Sequence, residues 1–276
     1  MRADLHIHTY YSDGLQSPQD VVNAAKANGV DLIAVTDHDN SLGRGEVLKC
    51  AIEAGIYAVD GIEISAYEGD IKVHTLGYNL DFDSPEFIAF YKKCLAASIE
   101  RTKDILLKLS RGGVEISMEE VLAERKNNNS PVHTMLISYA AVKKGLTSNP
   151  YDFYARYLSY GRIGYSNIGR PSPEEAVRVI KECGGISSIA HPGRIDAGRE
   201  YVLTLIKRLK SCGLDGIEGV YSGHTAIETQ YYKELAEELG LLLTGGSDTH
   251  FKSGNHVIGT PPFYPDEALL SALKII

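Results

Sequence analysis

The sequence predicts an α/β protein built on a parallel sheet, open or closed into a barrel, with a helical insert in its middle. Three observations carry this. Short apolar runs alternate with capped, amphipathic helical segments along most of the chain. Most of those runs end in a polar cluster of histidines and carboxylates, where α/β folds build their sites. From about Ser84 to Tyr165 the rhythm stops and no strand signal remains.

Ala3 to His8 reads as the first strand. Leu5 and Ile7 alternate with His6 and His8, so alternation sends both imidazoles one way and both aliphatics the other. Asp13 follows in a turn. Ser17-Pro18-Gln19-Asp20 then opens a helix, with Ser17 as N-cap, Pro18 at the first helical position and Asp20 closing a capping box. Asp31 to Thr36 is a buried strand that stops at Asp37-His38-Asp39-Asn40. A helix near Gly45 to Ala54 is closed by Gly55. Gly61-Ile62-Glu63-Ile64 and Lys72 to Tyr78, with His74 inside, continue the strand pattern. The insert reads as a long helix from Phe87 to Arg111, a second from Glu119 to Lys126, a turn at Asn127 to Pro131 and a stretch with Tyr151, Tyr154, Tyr157, Tyr160 and Tyr165. Tyrosines spaced by three read as a helix packing face. Ser172-Pro173-Glu174-Glu175 opens the next helix. Strands follow at Ile186 to Ala190, ending at His191, at Asp215 to Val220, and at Leu241 to Gly246, ending at Asp248 and His250. Helices from Val202 to Ser211, from Ala226 to Leu239 and beyond Pro265 lie around them. The division expected is residues 1–84 with 166–276 as the scaffold and 85–165 as the insert.

Composition bounds the function. The 276 residues, 43% of them hydrophobic, suffice for one large domain or a domain plus insert. A net charge of -8 argues against a broad basic surface for nucleic acid, although bound divalent cations would invert the field locally. Cys50, Cys94, Cys183 and Cys212 are scattered with no C-x-x-C pair, which reads as free thiols in a reducing cytoplasm. The N-terminus lacks the apolar run of a signal peptide, and no segment reaches the ~18 apolar residues of a membrane span. The expected location is therefore cytoplasmic.

Collected from the strand ends, His6, His8, Asp13, His38, Glu63, His74, His191, Asp248 and His250 include six of the nine histidines. Scattered core histidines would not all fall at one end of a sheet. Imidazole with carboxylate suits Zn2+, Mn2+ and Fe2+. Nine donors exceed one ion's coordination and suffice for two or three ions if a carboxylate bridges. Such a cluster activates water and clamps a phosphoryl group.

These stretches resemble the PHP (polymerase and histidinol phosphatase) family. The motifs are Asp4-Leu5-His6-Ile7-His8-Thr9 with Ser12-Asp13-Gly14, Thr36-Asp37-His38-Asp39, Gly61-Ile62-Glu63, His74-Thr75-Leu76-Gly77-Tyr78, Ala190-His191-Pro192-Gly193 and Gly246-Ser247-Asp248-Thr249-His250. The resemblance implies a distorted (β/α)7 barrel, related to the TIM barrel, with a trinuclear metal site. It implies His6, His8, Glu63 and Asp248 on the first ion, bridging Glu63 with His74 and His191 on the second, and Asp13, His38 and His250 on the third. Two to three divalent ions are expected, Mn2+, Fe2+ or Zn2+, with Mg2+ as a further candidate. Gly216-Ile217-Glu218 with Tyr221, His224 and Thr225, and Arg170 with the Ser172 helix start, resemble the branch of 3',5'-nucleotide bisphosphate phosphatases and a related RNA 5'-end exonuclease. That branch usually carries Arg-Pro-His in its insert; here Ser130-Pro131-Val132-His133 lacks the arginine.

The expected activity is hydrolysis of a small phosphomonoester, a nucleotide foremost, by a metal-bridging hydroxide. His224, Asp248 and His191 are the expected catalytic residues, with His224 protonating the leaving group. Arg170, Arg194 and His224 are candidates for substrate phosphate, since guanidinium fits phosphate bidentately. Asp37 and Asp39 are expected to support a ligand histidine. His133 and His256 read as plain loop histidines. The alternatives are an exonuclease acting on short nucleic-acid 5' ends, a histidinol-phosphate phosphatase and a non-catalytic metal-binding module. The nuclease predicts a basic track from Lys103, Lys108, Arg111, Arg125, Lys126, Lys143 and Lys144. No membrane and no obligate protein partner are implied.

Overall fold

The computed structural model describes residues 1–250 and 257–276; His256 lies outside them. The chain divides into two compact units, residues 1–88 with 171–276, and residues 89–170.

The first unit is a seven-stranded, nearly closed barrel whose strands lie in chain order. β1 (Ala3–Ile7), β2 (Leu32–Val35) and the first part of β3 (Tyr57–Glu68) run parallel. α1 (Pro18–Ala27) and α2 (Arg44–Ala54) connect them and cover one face, packing Val21, Val22, Ala25, Val47 and Ala51 on Ile33 and Val35. Ser17 and Asp20 form the expected capping box on α1.

β4 (Ile71–Tyr78) departs from the expected parallel sheet. It pairs antiparallel with β3 and with β5 (Ile186–Ile189). The reason is the connection: only Gly69 and Asp70 separate β3 from β4, and a two-residue turn makes a hairpin, never a crossover. Gly69 takes φ +58°, which a glycine adopts at no steric cost.

After β4, α3 (Pro85–Arg111) leads out of the first unit. The second unit also holds α4 (Met118–Leu122), α5 (Thr134–Lys143), α6 (Pro150–Phe153) and a π-helical turn at Tyr154–Leu158. α4 is shorter than expected, and α5 was not anticipated at all. Ile105, Leu109, Val121, Ile137, Phe153 and Leu158 build this unit's core. Tyr154 and Tyr157 pack against it, whereas Tyr151 and Tyr160 are exposed.

The barrel resumes with α7 (Pro173–Glu182), β5, α8 (Arg199–Ser211), β6 (Gly216–Tyr221), α9 (Ala226–Leu239), β7 (Leu242–Gly246) and α10 (Glu267–Ala272). β5, β6 and β7 are parallel. Closure joins the two ends of the sequence: His8 N–H donates to Thr249 O at 3.0 Å and Asp248 N–H to His6 O at 2.8 Å. Buried Asp4 reinforces the seam by accepting from Ser247 N–H at 2.9 Å and Gly259 N–H at 2.7 Å. A Cβ on Gly246 would stand 2.4 Å from the His6 Cβ, so only glycine lets β7 come this close to β1.

Leu5 and Ile7 are both fully buried, but they do not share an environment. Leu5 packs with Leu32, Ala34, Leu76, Tyr78 and Val220, and Ile7 packs with the α1 and α2 layer. The β1–β2 pairing shifts register between Asp4 and Ile7, which breaks the simple two-residue alternation.

Candidate metal centre

The nine residues gathered from the strand ends meet at one end of this barrel. β1 supplies His6 and runs out into His8, and the following turn brings Asp13. The chain after β2 brings His38, which bridges to Glu63 of β3. His74 lies in the first half of β4, the half that faces this end because β4 runs backwards. His191 follows β5, and Asp248 and His250 follow β7.

Glu63 is the hub. Its Oε2 stands 3.2 Å from His6 Nε2, 3.1 Å from His8 Nε2 and 3.2 Å from His38 Nδ1. Its Oε1 stands 2.7 Å from His74 Nδ1 and 3.1 Å from His191 Nε2. Asp248 Oδ1 lies 3.5 Å from His6 Nε2, 3.2 Å from His8 Nε2 and 3.5 Å from His250 Nδ1. Asp13 Oδ1 lies 3.3 Å from His250 Nε2 and 3.9 Å from His38 Nε2.

Three groups offer ligand atoms that all lie within 4.8 Å of one another: His6, His8, Glu63 and Asp248; His8, Asp13, His38 and His250; and His38, Glu63 and His74. The first matches the expected set. The second is the expected third set with His8 added. In the last, His38 stands where His191 was expected, and His191 reaches Glu63 from the other side.

The donor set fits divalent ions. Two ligands about 2.1 Å from one ion stand roughly 3.0–3.5 Å apart at octahedral or tetrahedral angles, the spacing seen here. His6 Nε2, His8 Nε2 and Glu63 Oε2 are buried and, among the described residues, make no hydrogen bond of acceptable geometry. Buried polar atoms left this way are costly, and an ion at their common focus satisfies them. The donors are nitrogen and oxygen only; Cys50, Cys94, Cys183 and Cys212 are all elsewhere.

The electrostatics agree with tight convergence. Burial penalises the charge on Glu63, yet the imidazoles of His74, His38 and His6 hold its pKa well below the usual carboxylate value. The same opposition, with His6 as the leading partner, depresses Asp248. Burial opposes protonation of His8, but the carboxylates of Asp248 and Glu63 push it up to about 10. Burial wins at His74, lowered to about 4. Asp39, His191 and Asp248 also adopt positive φ of 55°, 29° and 54°, a strained backbone of the kind that functional sites retain.

The surrounding residues divide by contact. Asp37 accepts from Thr9 N–H at 2.8 Å, from Thr9 Oγ1 and from Ser12 Oγ, both at 2.6 Å, so it anchors the turn that delivers Asp13. Asp39 accepts from Ser65 N–H at 2.8 Å. Both carboxylates thus hold strand-end backbone, and the hydroxyl-bearing residues they hold also meet ligand histidines: Ser12 Oγ lies 3.5 Å from His8 Nδ1 and Ser65 Oγ 3.3 Å from His38 Nδ1. Tyr221 donates its hydroxyl to Asp248 Oδ2 at 3.0 Å, and exposed Arg194 reaches that hydroxyl at 3.4 Å. Glu218 touches both His6 and His191. Glu218 and Tyr221 entered the sequence reading only through a resembling stretch, without a role. A lone carboxylate inside the apolar run Gly216 to Val220 was the available signal.

His224 has both ring nitrogens engaged by backbone: Nδ1 faces Gly219 O at 3.2 Å, and Nε2 accepts from Gly193 N–H at 3.2 Å. Burial lowers its pKa. A neutral imidazole in this arrangement carries its proton on Nδ1, held by a carbonyl. That geometry argues against the expected leaving-group acid. Arg170 is the last residue of the second unit. His133 is the N-cap of α5 and accepts from Met135 N–H at 3.3 Å, a structural role.

The PHP domain model matches residues 4–182. The chain is 32% identical to a phosphoribosyl 1,2-cyclic phosphate 1,2-diphosphodiesterase of Eggerthella lenta, covering 92% of this chain and 96% of that one. It is 31% identical to a 3',5'-nucleoside bisphosphate phosphatase of Chromobacterium violaceum, over 90% and 86%, and 32% identical to a 5'-3' exoribonuclease of Haemophilus influenzae, over 91% and 90%. Among solved structures, an amidohydrolase from Chromobacterium violaceum with bound sulfate and no metal superposes with a TM-score of 0.88 at 28% identity, over 100% of this chain and 96% of that one. On the matched family model, the similarity across nearly its whole length and the barrel that carries these motifs, this chain belongs to the PHP domain family.

Proposed function

We propose that the protein is a metal-dependent phosphoesterase that hydrolyses a small phosphomonoester, a nucleotide of the 3',5'-bisphosphate kind. The observation that carries this is the focus of buried, hydrogen-bond-free donor atoms around Glu63. His6, His8, Asp13, His38, Glu63, His74, His191, Asp248 and His250 would hold two or three ions. Such ions, when bound, acidify water and neutralise phosphoryl oxygens.

The chain's own residues do the rest. Glu63 presents one oxygen to each side of the centre and so fits a bridging role. Tyr221 occupies Asp248 Oδ2 and leaves Oδ1 facing His6 and His8. Arg194, exposed beside Tyr221, is placed to take a substrate phosphate oxygen. On the resemblance of its sequence stretch alone, Arg170 is a second candidate for such an oxygen. His224 braces the loops after β5 and β6, and the leaving-group proton comes from solvent.

A cavity of about 360 Å³ adjoins Tyr221, lined by Ser222, His224, Thr229, Gln230 and Thr260. Pockets for small molecules run from about 300 to 1,000 Å³, so its size suits a nucleoside. Ala226 and Pro261 complete the lining, and this mix of apolar groups and hydroxyls suits the sugar or base of such a nucleotide. The nuclease alternative draws support from the exoribonuclease similarity. Against it, Lys103, Lys108, Lys143 and Lys144 are each paired with a carboxylate, which leaves them poor material for a basic track.

The test is phosphate release by the Mn2+-loaded protein from a panel of nucleoside mono- and bisphosphates, histidinol phosphate and 5'-phosphorylated oligonucleotides. Turnover of mononucleotides alone is the expected result. Faster turnover of oligonucleotides, with steep salt dependence, would overturn it in favour of the nuclease.

A further inference from the structure

Glu218 is 0% exposed and lies inside β6. It faces none of the focal donor atoms, yet both its oxygens are committed to ligand residues. Oε1 stands 2.9 Å from His6 Nδ1, and Oε2 accepts from His191 N–H at 2.6 Å. His6 turns its other nitrogen, Nε2, to Glu63 Oε2 and Asp248 Oδ1. His191 holds φ +29° and ψ 59°, a backbone that a side chain with a Cβ rarely adopts. Its N–H is therefore aimed by a strained residue at one fixed acceptor.

We propose that Glu218 is a positioning residue for the metal centre: it fixes the proton of His6 on Nδ1, so that Nε2 is bare toward the ions, and it pins the His191 backbone in its strained form. This rests on the metal-dependent reading above. The argument is one of donor count. In the arrangement that leaves His6 Nε2 bare, both partners of Glu218 are donors, and a carboxylate is the side chain of this shape that accepts twice. A glutamine has one acceptor and one amide group. The His191 N–H cannot change, so the amide oxygen takes it. The NH2 then faces His6 Nδ1, which must accept, and the imidazole proton moves to Nε2. Ligation by that atom is lost although no ligand has been mutated. A carboxylate one methylene shorter cannot span both partners at once.

The experiment uses the full chain, with E218Q, E218D and H6A as variants, and Zn2+ as the probe. Zinc content and affinity are read by elemental analysis and competition with a chromophoric chelator. The protonation of His6 is read by long-range 15N–1H correlation on histidine-labelled, Zn2+-loaded protein. Outer partners of ligand histidines are worth roughly 10- to 100-fold in metal affinity; E218Q and E218D are each expected to lose about that much. E218Q should bind no more zinc than H6A, and its His6 should show a proton on Nε2 that the wild type lacks. A merely structural role would shift the melting temperature without moving that proton. Wild-type zinc affinity in either folded variant, or an unchanged His6 spectrum in E218Q, overturns the inference. If the wild type itself takes up no zinc, manganese or iron, the metal-dependent reading falls instead.

Discussion

Replacing Glu63 with glutamine is the most telling perturbation of the metal-free protein. Its oxygens face five imidazole nitrogens at 2.7 to 3.2 Å. Of these rings, burial lowers His38 and His74 in spite of the carboxylate beside them. His6 and His8 are raised instead, because carboxylate charge outweighs burial. The loss therefore falls on them. Removing one member of a buried ion pair costs about 3–5 kcal/mol, and each kcal/mol moves the midpoint of a chain this size by about 2–4 °C. E63Q treated with chelator should melt roughly 6–20 °C below chelated wild type. The sign of the pH dependence follows. A histidine whose folded pKa is raised adds stability that is complete below its unfolded value of about 6.5. That stability disappears as pH rises through the folded value, about 10 for His8. The deficit of E63Q is therefore largest near pH 6 and shrinks toward pH 10, as read by scanning calorimetry with chelator in every buffer. A deficit of equal size at both ends, or one below about 1 kcal/mol at pH 6, would refute the electrostatic account of this cluster.

Three further outcomes are expected. His8→Ala and Asp248→Ala should each abolish turnover while circular dichroism stays native; wild-type rates in both would remove the proposed site. Tyr221→Phe deletes the hydrogen bond to Asp248 Oδ2, so kcat/KM and metal affinity should fall roughly 10- to 100-fold with little loss of stability, measured by steady-state kinetics and metal competition. His224→Gln should keep activity within about tenfold, since general acids contribute some 10²–10⁴-fold; a larger loss, together with removal of the alkaline limb of the pH–rate profile, would restore His224 as the proton donor.

Much of the centre is legible in the sequence because most of the donors, Glu63 and His74 inside their strands excepted, sit where an apolar run stops. Such an edge needs only local pattern: His6 and His8 by strand alternation, His38, His191, Asp248 and His250 by position after a strand. Helix starts at Ser17 and Ser172 are equally local, and each side chain does cap its helix. The reversed β4 escaped because alternation gives a strand but not its direction; only the brevity of the Gly69-Asp70 turn carried that. α5 escaped because Met135, Leu136, Ile137, Ala140 and Ala141 are buried on several sides, which erases a helical stripe. The roles of Glu218, Tyr221 and His224 depend on partners far along the chain or on backbone atoms, and no spacing rule reports those.

The seam between β1 and β7 has a consequence for biosynthesis. His8 N–H reaches Thr249 O and Asp248 N–H reaches His6 O only when the last strand is present. A nascent chain carrying the first two hundred residues owns most of the histidines but neither Asp248 nor His250. Until the segment after β7 is made, the donor groups lack Asp248 and His250, so ion capture at full strength is expected to await that segment. A ribosome-arrested series of increasing length should therefore acquire tight metal retention in one late step.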